Sequence, residues 1–251
     1  MTLRDVLHSI MRTPNVESLW EAHVQKMADY GFDRLIYGFT RYRTETSLGD
    51  PDDYVIFSNH SREYVDGYVG EGRFVHGPML QWALNNDGAR SWSSIAELER
   101  PDGLSENEQE VMRFNCAFGV TAGYTISFRS VSTRTKGAIA LTARPGLSQE
   151  DVDAIWAEHG CDIELINELV HLKILTLPYS SPRRSLTARQ REVLQWVGDG
   201  KTTQDIATLM NLTQATVEKH LRLAREALSV ETTAQAVLKA AFANQMFIYE
   251  I

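Results

Sequence analysis

The stretch that decides the fold of this chain is LTARQREVLQWVGDGKTTQDIATLMNLTQATVEKHLRLAREAL, residues 186–228. Its apolar residues recur at the period of an amphipathic helix. With the residues that follow, the pattern predicts four helices, over 187–198, 203–210, 214–228 and 232–244. Threonines stand at two of the expected amino-terminal caps, Thr187 and Thr213. The second and third helices have the spacing of a helix-turn-helix, whose last helix enters the major groove of DNA.

This carboxy-terminal part carries a positive charge that the chain as a whole lacks. The 251 residues hold 25 Lys and Arg against 33 Asp and Glu, a net charge of −8. Residues 1–180 hold 16 basic and 26 acidic side chains, whereas residues 181–251 hold 9 and 7. On the third helix Lys219, Arg222 and Arg225 recur at intervals of three and share one face. A polyanion is therefore expected to meet the carboxy-terminal part.

Residues 184–243 resemble the DNA-binding domain of LuxR-type transcriptional regulators, on the motif quoted above and the TTAQAV helix after it. Where that family usually reads Arg-Glu-Arg-Glu, this chain has Arg-Gln-Arg-Glu, and Gln190 keeps a hydrogen bond but not the charge. The resemblance implies base contacts by Glu218, Lys219 and Arg222, with phosphate contacts around them. The full set it implies at double-stranded DNA is Lys201, Thr203, Gln204, Thr213, Gln214, Thr216, Glu218, Lys219, Arg222 and Arg225.

A connector precedes this module. The stretch LPYSSPRRS at 177–185 has two prolines and three serines between two periodic regions. We therefore predict a domain over 1–176, a linker over 177–185 and a helix-turn-helix domain over 186–251.

The larger domain mixes strand and helix patterns. Alternating or β-branched runs predict strands over 34–40, 54–57, 123–128 and 137–143. Helical periodicity is found over 3–11, 16–30, 61–69, 78–86, 105–117 and 148–175, with Asn15, Ser105 and Ser148 as candidate caps. The predicted fold class is α/β, an α-β-α sandwich, followed by a small all-α domain of four helices.

Aromatic residues cluster in the middle of the larger domain. Tyr64 and Tyr68 are four apart on one predicted helix face, and Trp92 follows fourteen residues after Gly77-Pro78. With Gly123 before a strand, these spacings resemble the acyl-homoserine-lactone-binding domain of quorum-sensing regulators. There a Trp and a Tyr, an Asp-Pro pair, a second Trp and a Gly frame the ligand. The candidate signal-binding residues are Tyr64, Tyr68, Trp92, His60, Gly77, Met79 and Thr142.

Two positions depart from that family, since Tyr64 stands in the place of a Trp and Gly77 in the place of an Asp. The family's Trp donates to the lactone carbonyl, which a Tyr64 hydroxyl can also do. The family's Asp accepts the amide N–H of the ligand, for which Gly77 has no side chain. A buried N–H without a partner costs about 1–3 kcal/mol. Either a neighbour such as His76, Asp66, Glu71 or a water molecule compensates, or the natural signal lacks the amide.

Other function classes lack their motifs in this sequence. There is no GxSxG, HExxH, GxGxxG after a strand or P-loop, so an enzyme is not favoured and no catalytic residue is predicted. Cys116 and Cys161 have no metal-ligand spacing, which predicts no metal site and two buried thiols. No apolar run approaches the ~20 residues of a membrane span, and the first residues do not form a signal peptide. The expected location is the cytoplasm, away from membranes.

These observations predict a ligand-responsive DNA-binding transcriptional regulator of the quorum-sensing type. Its expected partners are an operator in double-stranded DNA, a small-molecule signal such as an N-acyl-homoserine lactone or a related compound, and a second copy of the chain in a homodimer. No other cofactor is expected. The helices over 148–175 and 232–244 are candidates for dimer contacts. The alternative is an orphan regulator that responds to a non-lactone ligand or binds DNA without any ligand.

Overall fold

The computed structural model describes residues 2–95, 103–179 and 184–246. The chain divides into two compact units, Met1–Leu175 and Thr176–Ile251. Residues 180–183 of the predicted linker lie outside the described residues. The described start of that linker packs within the second unit, because the Tyr179 N–H donates to the Ala243 carbonyl at 3.2 Å and Leu177 is buried. In the described part of the chain, no helix has the length and apolarity needed to cross a membrane.

A five-stranded antiparallel sheet forms the middle layer of the first unit. Its strands are β1 (Phe32–Thr40), β2 (Val55–Ser58), β3 (Gly88–Ser91), β4 (Gly123–Phe128) and β5 (Lys136–Ala143). Their order across the sheet is β2-β1-β5-β4-β3. Strand β3 was not predicted, because its four residues, GARS, show no apolar alternation. Pairing of Gly88–Ser91 with β4 at the sheet edge makes these residues a strand.

Helices cover both faces of this sheet. They are α1 (Leu3–Arg12), α2 (Val16–Asp29), α3 (Arg62–Val65), α4 (Pro78–Asn85), α5 (Glu106–Ala117) and α6 (Gln149–Thr176). The caps at Asn15 and Ser105 form as predicted, and Glu108 completes a capping box with Ser105. The helix predicted over 61–69 is divided, because α3 continues as a π-helical turn over Asp66–Gly70. This arrangement of layers is the predicted α-β-α sandwich.

The two faces of the sheet differ in side-chain size. Alternate residues of a strand point to opposite faces. On one face large side chains pack against α6, where Trp156 stacks on Tyr124 with ring centroids 3.9 Å apart and His171 stacks on Phe128 at 4.1 Å. The other face, which we call the small-residue face, carries Gly38, Thr125, Ala138, Ala140 and Thr142. A Cβ at Gly38 would meet no atom within 4 Å, so there is open space above this face.

The second unit is a helical bundle, as predicted. It contains α7 (Ala188–Gly198), α8 (Thr203–Leu209), α9 (Gln214–Leu228) and α10 (Thr233–Phe242). Val193, Ile206 and Val217 are fully buried at its centre. Gln190 keeps the hydrogen bond expected of it, because its Oε1 accepts from the Thr187 N–H at 2.8 Å in a capping box.

Both cysteines are exposed, so the prediction of buried thiols was wrong. Cys116 lies five residues after the buried Val111, which places it roughly 140° away around α5. The buried Val111 therefore belongs to a different side of the helix from Cys116.

Candidate ligand cavity and DNA interface

The first unit contains a cavity of about 600 Å³ between the small-residue face and helices α3, α4 and α5. That volume lies within the range of small-molecule sites, ~300–1,000 Å³. Six of the seven candidate residues line it, namely Tyr64, Tyr68, Gly77, Met79, Trp92 and Thr142. Most of the wall is apolar, with Ile36, Leu48, Ile56, Val69, Phe74, Leu80, Leu84, Ile95, Leu104, Met112, Val120 and Ile139 among its members.

Tyr64 is held at the centre of an aromatic cluster. Tyr68 stacks on one side with ring centroids 5.2 Å apart and Phe114 lies at 5.5 Å. The Tyr64 hydroxyl donates to Asn115 Oδ1 at 3.0 Å, and its burial raises the pKa of the phenol. The Tyr64 hydroxyl, which was expected to donate a hydrogen bond to a lactone carbonyl, thus donates to Asn115 in this structure.

His60 is the candidate that is not among the lining residues. Its ring stacks on Tyr64 with centroids 4.5 Å apart, so it supports the wall rather than forming it. Burial, together with the nearby charge of Arg34, lowers the pKa of His60 to about 4, and the imidazole is neutral at pH 7.

Trp92 is fixed by one hydrogen bond and one close approach. Its Nε1 donates to Thr125 Oγ1 at 2.9 Å, which ties the indole to β4. A Cβ at Gly123 would lie 2.1 Å from the Leu141 carbonyl oxygen and 3.0 Å from the Trp92 ring. Only glycine fits at position 123, because the indole and β5 both approach the bare backbone there.

Gly77 and Tyr68 meet at the start of α4. A Cβ at Gly77 would lie 3.1 Å from the Tyr68 hydroxyl oxygen, so this hydroxyl sits directly beside the missing side chain. Burial raises the pKa of Tyr68 to about 12, and the phenol keeps its proton at neutral pH. Two suggested compensating carboxylates are engaged elsewhere, since Asp66 pairs with Arg62 and Glu71 with Arg73. Neither carboxylate, nor His76, is among the lining residues.

The cavity wall offers no free charge within the described residues. Lys136 is its charged member there, and its ammonium donates to Asp87 Oδ1 at 2.8 Å and to the Asn86 carbonyl at 2.9 Å. This pairing neutralises the lysine at the edge of the wall. A neutral ligand is therefore the best match to the site.

Sequence reasoning missed Asn115, Thr125 and Lys136, which all line the cavity. These residues are brought to the wall from α5, β4 and β5 by the tertiary fold. Their local patterns are those of ordinary helix and strand residues. The small residues at alternate positions of the β5 sequence, KGAIALTA, were the one available signal that this face had room for a ligand.

The candidate DNA interface lies on α8 and α9. Seven of its ten residues are exposed, namely Lys201, Gln204, Thr213, Gln214, Glu218, Lys219 and Arg222, and three are half-buried, namely Thr203, Thr216 and Arg225. The Thr203 hydroxyl donates to Glu218 Oε1 at 3.0 Å, which joins the two helices. Glu218 is thus held by a neighbour within the protein, a role that sequence reasoning did not assign to it.

The basic residues of α9 differ in how firmly they are held. Arg225 donates to Thr233 Oγ1 at 3.0 Å, whereas Arg222 pairs with Glu226 on the open surface at 2.5 Å. Lys219 has no ion pair in the part of the chain that is described. The caps of α8 and α9, Thr202 and Thr213, mark two helix amino termini, where backbone N–H groups attract phosphate.

Two family models match this chain, each over a separate part of it. Residues 15–174 match the family model of the autoinducer binding domain, and residues 184–240 match that of the bacterial regulatory proteins of the luxR family. The chain is 23% identical to the transcriptional activator protein AnoR of Acinetobacter nosocomialis, over 94% of this chain and 95% of that protein. It is 28% identical to the quorum sensing-dependent transcriptional regulator RpaR of Rhodopseudomonas palustris, over 83% and 84%.

A solved structure shares the fold over part of this chain. The N-acylhomoserine lactone dependent LuxR family transcription factor CepR2 from Burkholderia cenocepacia superimposes with a TM-score of 0.52 at 17% identity. The alignment covers 68% of this chain and 92% of that chain.

Proposed function

This chain belongs to the luxR family of bacterial regulatory proteins, and from that premise we propose how its cavity and its helix-turn-helix work together. It is a ligand-responsive DNA-binding transcriptional regulator of the quorum-sensing type. The observation that carries the proposal is the cavity of about 600 Å³, present in the same chain as a helix-turn-helix unit. The non-lactone and ligand-independent alternatives are not favoured.

The proposed signal is an N-acyl-homoserine lactone or a related neutral compound with an apolar tail. The apolar wall and the neutralised Lys136 support this choice. Tyr64, Tyr68, Trp92, Gly77, Met79 and Thr142 are the proposed contact residues, with His60 behind Tyr64. No further cofactor is proposed.

The proposed mechanism is thermodynamic linkage between the two sites. A signal that binds only the folded first unit at 100 times its Kd adds ~2.7 kcal/mol of stability. If the state that binds the signal also has a different affinity for the operator, the signal shifts DNA binding by that difference. Lys219 and Arg222 are proposed to read bases. Glu218, which accepts from Thr203, is proposed to face the bases as well, and the remaining candidates of the DNA interface are proposed to position the helices on the phosphates.

We propose that the regulator acts as a homodimer on a two-fold operator. Large apolar residues are exposed at helical spacing on α6, at Leu165 and Leu172, and on α10, at Leu238 and Phe242. Exposed apolar stripes of this kind favour burial against a second copy. The corresponding operator would have half-sites about one helical turn apart. Because its proposed target is an operator in DNA, we propose that the protein works in the cytoplasm, and we propose no catalytic activity for it.

Selection of DNA from a random library by the purified full chain tests this function. Selections are run with and without N-octanoyl-homoserine lactone, and thermal unfolding is measured in parallel. We expect a two-fold-symmetric sequence to be enriched in one of the two conditions, and the Tm to rise with lactone. Enrichment of no sequence in either condition would remove the DNA-reading role.

A further inference from the structure

Several hydrogen-bond donors of the cavity wall lack a partner. Thr142 Oγ1 is buried without a hydrogen bond, and the residue is 1% exposed. The Tyr68 hydroxyl and the Asn115 amide nitrogen, on half-buried residues that line the cavity, make no hydrogen bond to any described residue. Buried polar groups are nearly always paired, so a bound ligand is expected to supply partners for these groups.

Acceptors at the same wall are scarce. Asn115 Oδ1 already accepts from Tyr64, and Thr125 Oγ1 accepts from Trp92. The described part of the lining contains no carboxylate. Beside Gly77 a ligand N–H would meet the Phe74 carbonyl oxygen, which lies 3.1 Å from the position of a Cβ there and already accepts from the Gly77 N–H at 2.9 Å. Elsewhere on this wall it would meet hydroxyl oxygens, and both kinds of acceptor form weaker hydrogen bonds than an ionised carboxylate does.

Tyr68 and Gly77 lie next to each other in the cavity wall and together constrain which ligand group fits there. The Tyr68 oxygen lies 3.1 Å from the place where a Cβ of residue 77 would be, so no side chain of residue 77 comes between the phenol and a ligand. The phenol is protonated and unpartnered, and its lone pair is partly delocalised into the ring. Toward a ligand it is a good donor and a poor acceptor.

We propose that Tyr68 and Gly77 select a neutral signal that presents an oxygen acceptor, as in an ester or a ketone, where an acyl amide would present its N–H. The proposal rests on the proposed function and narrows it, because it states the chemical class of the signal at one position. Tyr68 donates to this oxygen, and the absence of a side chain at Gly77 lets the oxygen approach. Thr142 and Asn115 bind further oxygens of the same ligand.

A matched pair of probes tests this proposal. N-octanoyl-homoserine lactone and α-octanoyloxy-γ-butyrolactone differ only in an N–H that is replaced by an oxygen atom. Their Kd values are measured by calorimetry on the full chain, on Tyr68→Phe and on Tyr30→Phe, a control tyrosine outside the cavity. We expect the ester to bind the natural chain ~5-fold more tightly than the amide, the net effect of one hydrogen bond that Tyr68 donates to the ester oxygen and cannot donate to an amide N–H. Tyr68→Phe should remove most of that preference, and Tyr30→Phe should leave it unchanged.

The possible outcomes separate this inference from the proposed function. Equal or tighter binding of the amide to the natural chain overturns the inference and leaves a lactone-responsive regulator in place. A preference for the ester that persists in Tyr68→Phe overturns the role of Tyr68. Failure of both probes to bind overturns the inference together with the proposed lactone-type signal, while the DNA selection still reports on the regulator. Thermal unfolding of Tyr68→Phe shows whether the variant folds.

Discussion

The hydroxyl of Tyr64 makes one hydrogen bond, to Asn115, and this contact joins α3 to α5 across the cavity wall. Replacing the acceptor in Asn115→Leu leaves the buried hydroxyl without a partner. We expect a loss of about 1–3 kcal/mol in the free energy of unfolding, measured by denaturant titration. In the double variant with Tyr64→Phe both polar groups are gone, and the cost should be less than the sum of the single costs. Strictly additive costs would show that the bond contributes nothing.

Arg222 lies exposed on α9, and its one ion-pair partner among the described residues is Glu226, so its side chain is available to DNA. Arg222→Ala should abolish the preference for the selected operator over random DNA, because base contacts carry the sequence information. Competition gel shifts at fixed salt measure that preference. Arg189→Ala is the matched control, since it removes an equally exposed arginine from α7 that is paired with Glu192. An unchanged preference in Arg222→Ala would assign this arginine to the phosphates.

Only some of the residues in the cavity wall could be predicted from the sequence. Tyr64, Tyr68, Gly77 and Trp92 were placed at the site because their spacing along the chain is specific. Asn115 and Lys136 were not, because their contribution arises from packing between α5, β3, β4 and β5. The hydrogen bond of Tyr64 to Asn115 was equally hidden, and it changes which atoms the wall offers to a ligand.

Side chains along β1 and β5 alternate between the two faces of the sheet, so that one face is packed and the other is open. Gly38 on β1 faces open space, with nothing within 4 Å of a Cβ at that position. Gly38→Val should therefore fill part of the cavity at little cost in stability, since valine also favours a strand. We expect the Tm without ligand to stay within a few degrees and the rise of Tm with ligand to disappear.

The graded control for this substitution is Gly38→Ala, which adds a single methyl group at the same site. It should reduce the ligand-dependent rise in Tm without removing it. A full response in Gly38→Val would place the ligand away from β1. A large fall in the Tm of the unliganded variant would mean that the space above Gly38 is needed for folding.

Sequence patterns predicted the long elements and failed at the short ones. The helix-turn-helix and the strands β1, β2, β4 and β5 carry strong periodicity, and each was placed within a few residues. The strand β3 has no such pattern, and it is a strand only because β4 supplies a partner. The π-helical turn after α3 also depends on its packing, because Phe114 lies 2.7 Å from the place where a Cβ of Gly67 would be.

For the molecule as a whole, buried histidines make stability depend on pH. Burial lowers the pKa of His23, His60 and His171 to about 4, against 6.5 for an exposed histidine. The unfolded chain therefore binds more protons between pH 6.5 and 4, and the free energy of unfolding falls as the pH is lowered through this window. Above pH 6.5 these groups are neutral in both states and add no slope.

Denaturant titrations between pH 7 and 4.5 check this expectation. Each such histidine contributes a slope of up to ~1.4 kcal/mol per pH unit. His23 is the best single test, because it is 2% exposed and its ring forms a hydrogen bond with the neutral Asn167, at 3.0 Å. His23→Gln should reduce the slope by about that amount. Identical slopes in the natural chain and in His23→Gln would contradict a neutral buried His23.

The small-residue face has a consequence for how relatives of this protein diverge. Gly38, Ala138 and Ala140 line the cavity on the side of their strands opposite the packed core, so larger side chains there shorten the space for a ligand. A substitution that adds a single methyl group on this face would then change the length of the ligand tail that the protein binds. After a single point mutation, two related regulators in one cell would then no longer respond to each other's signal.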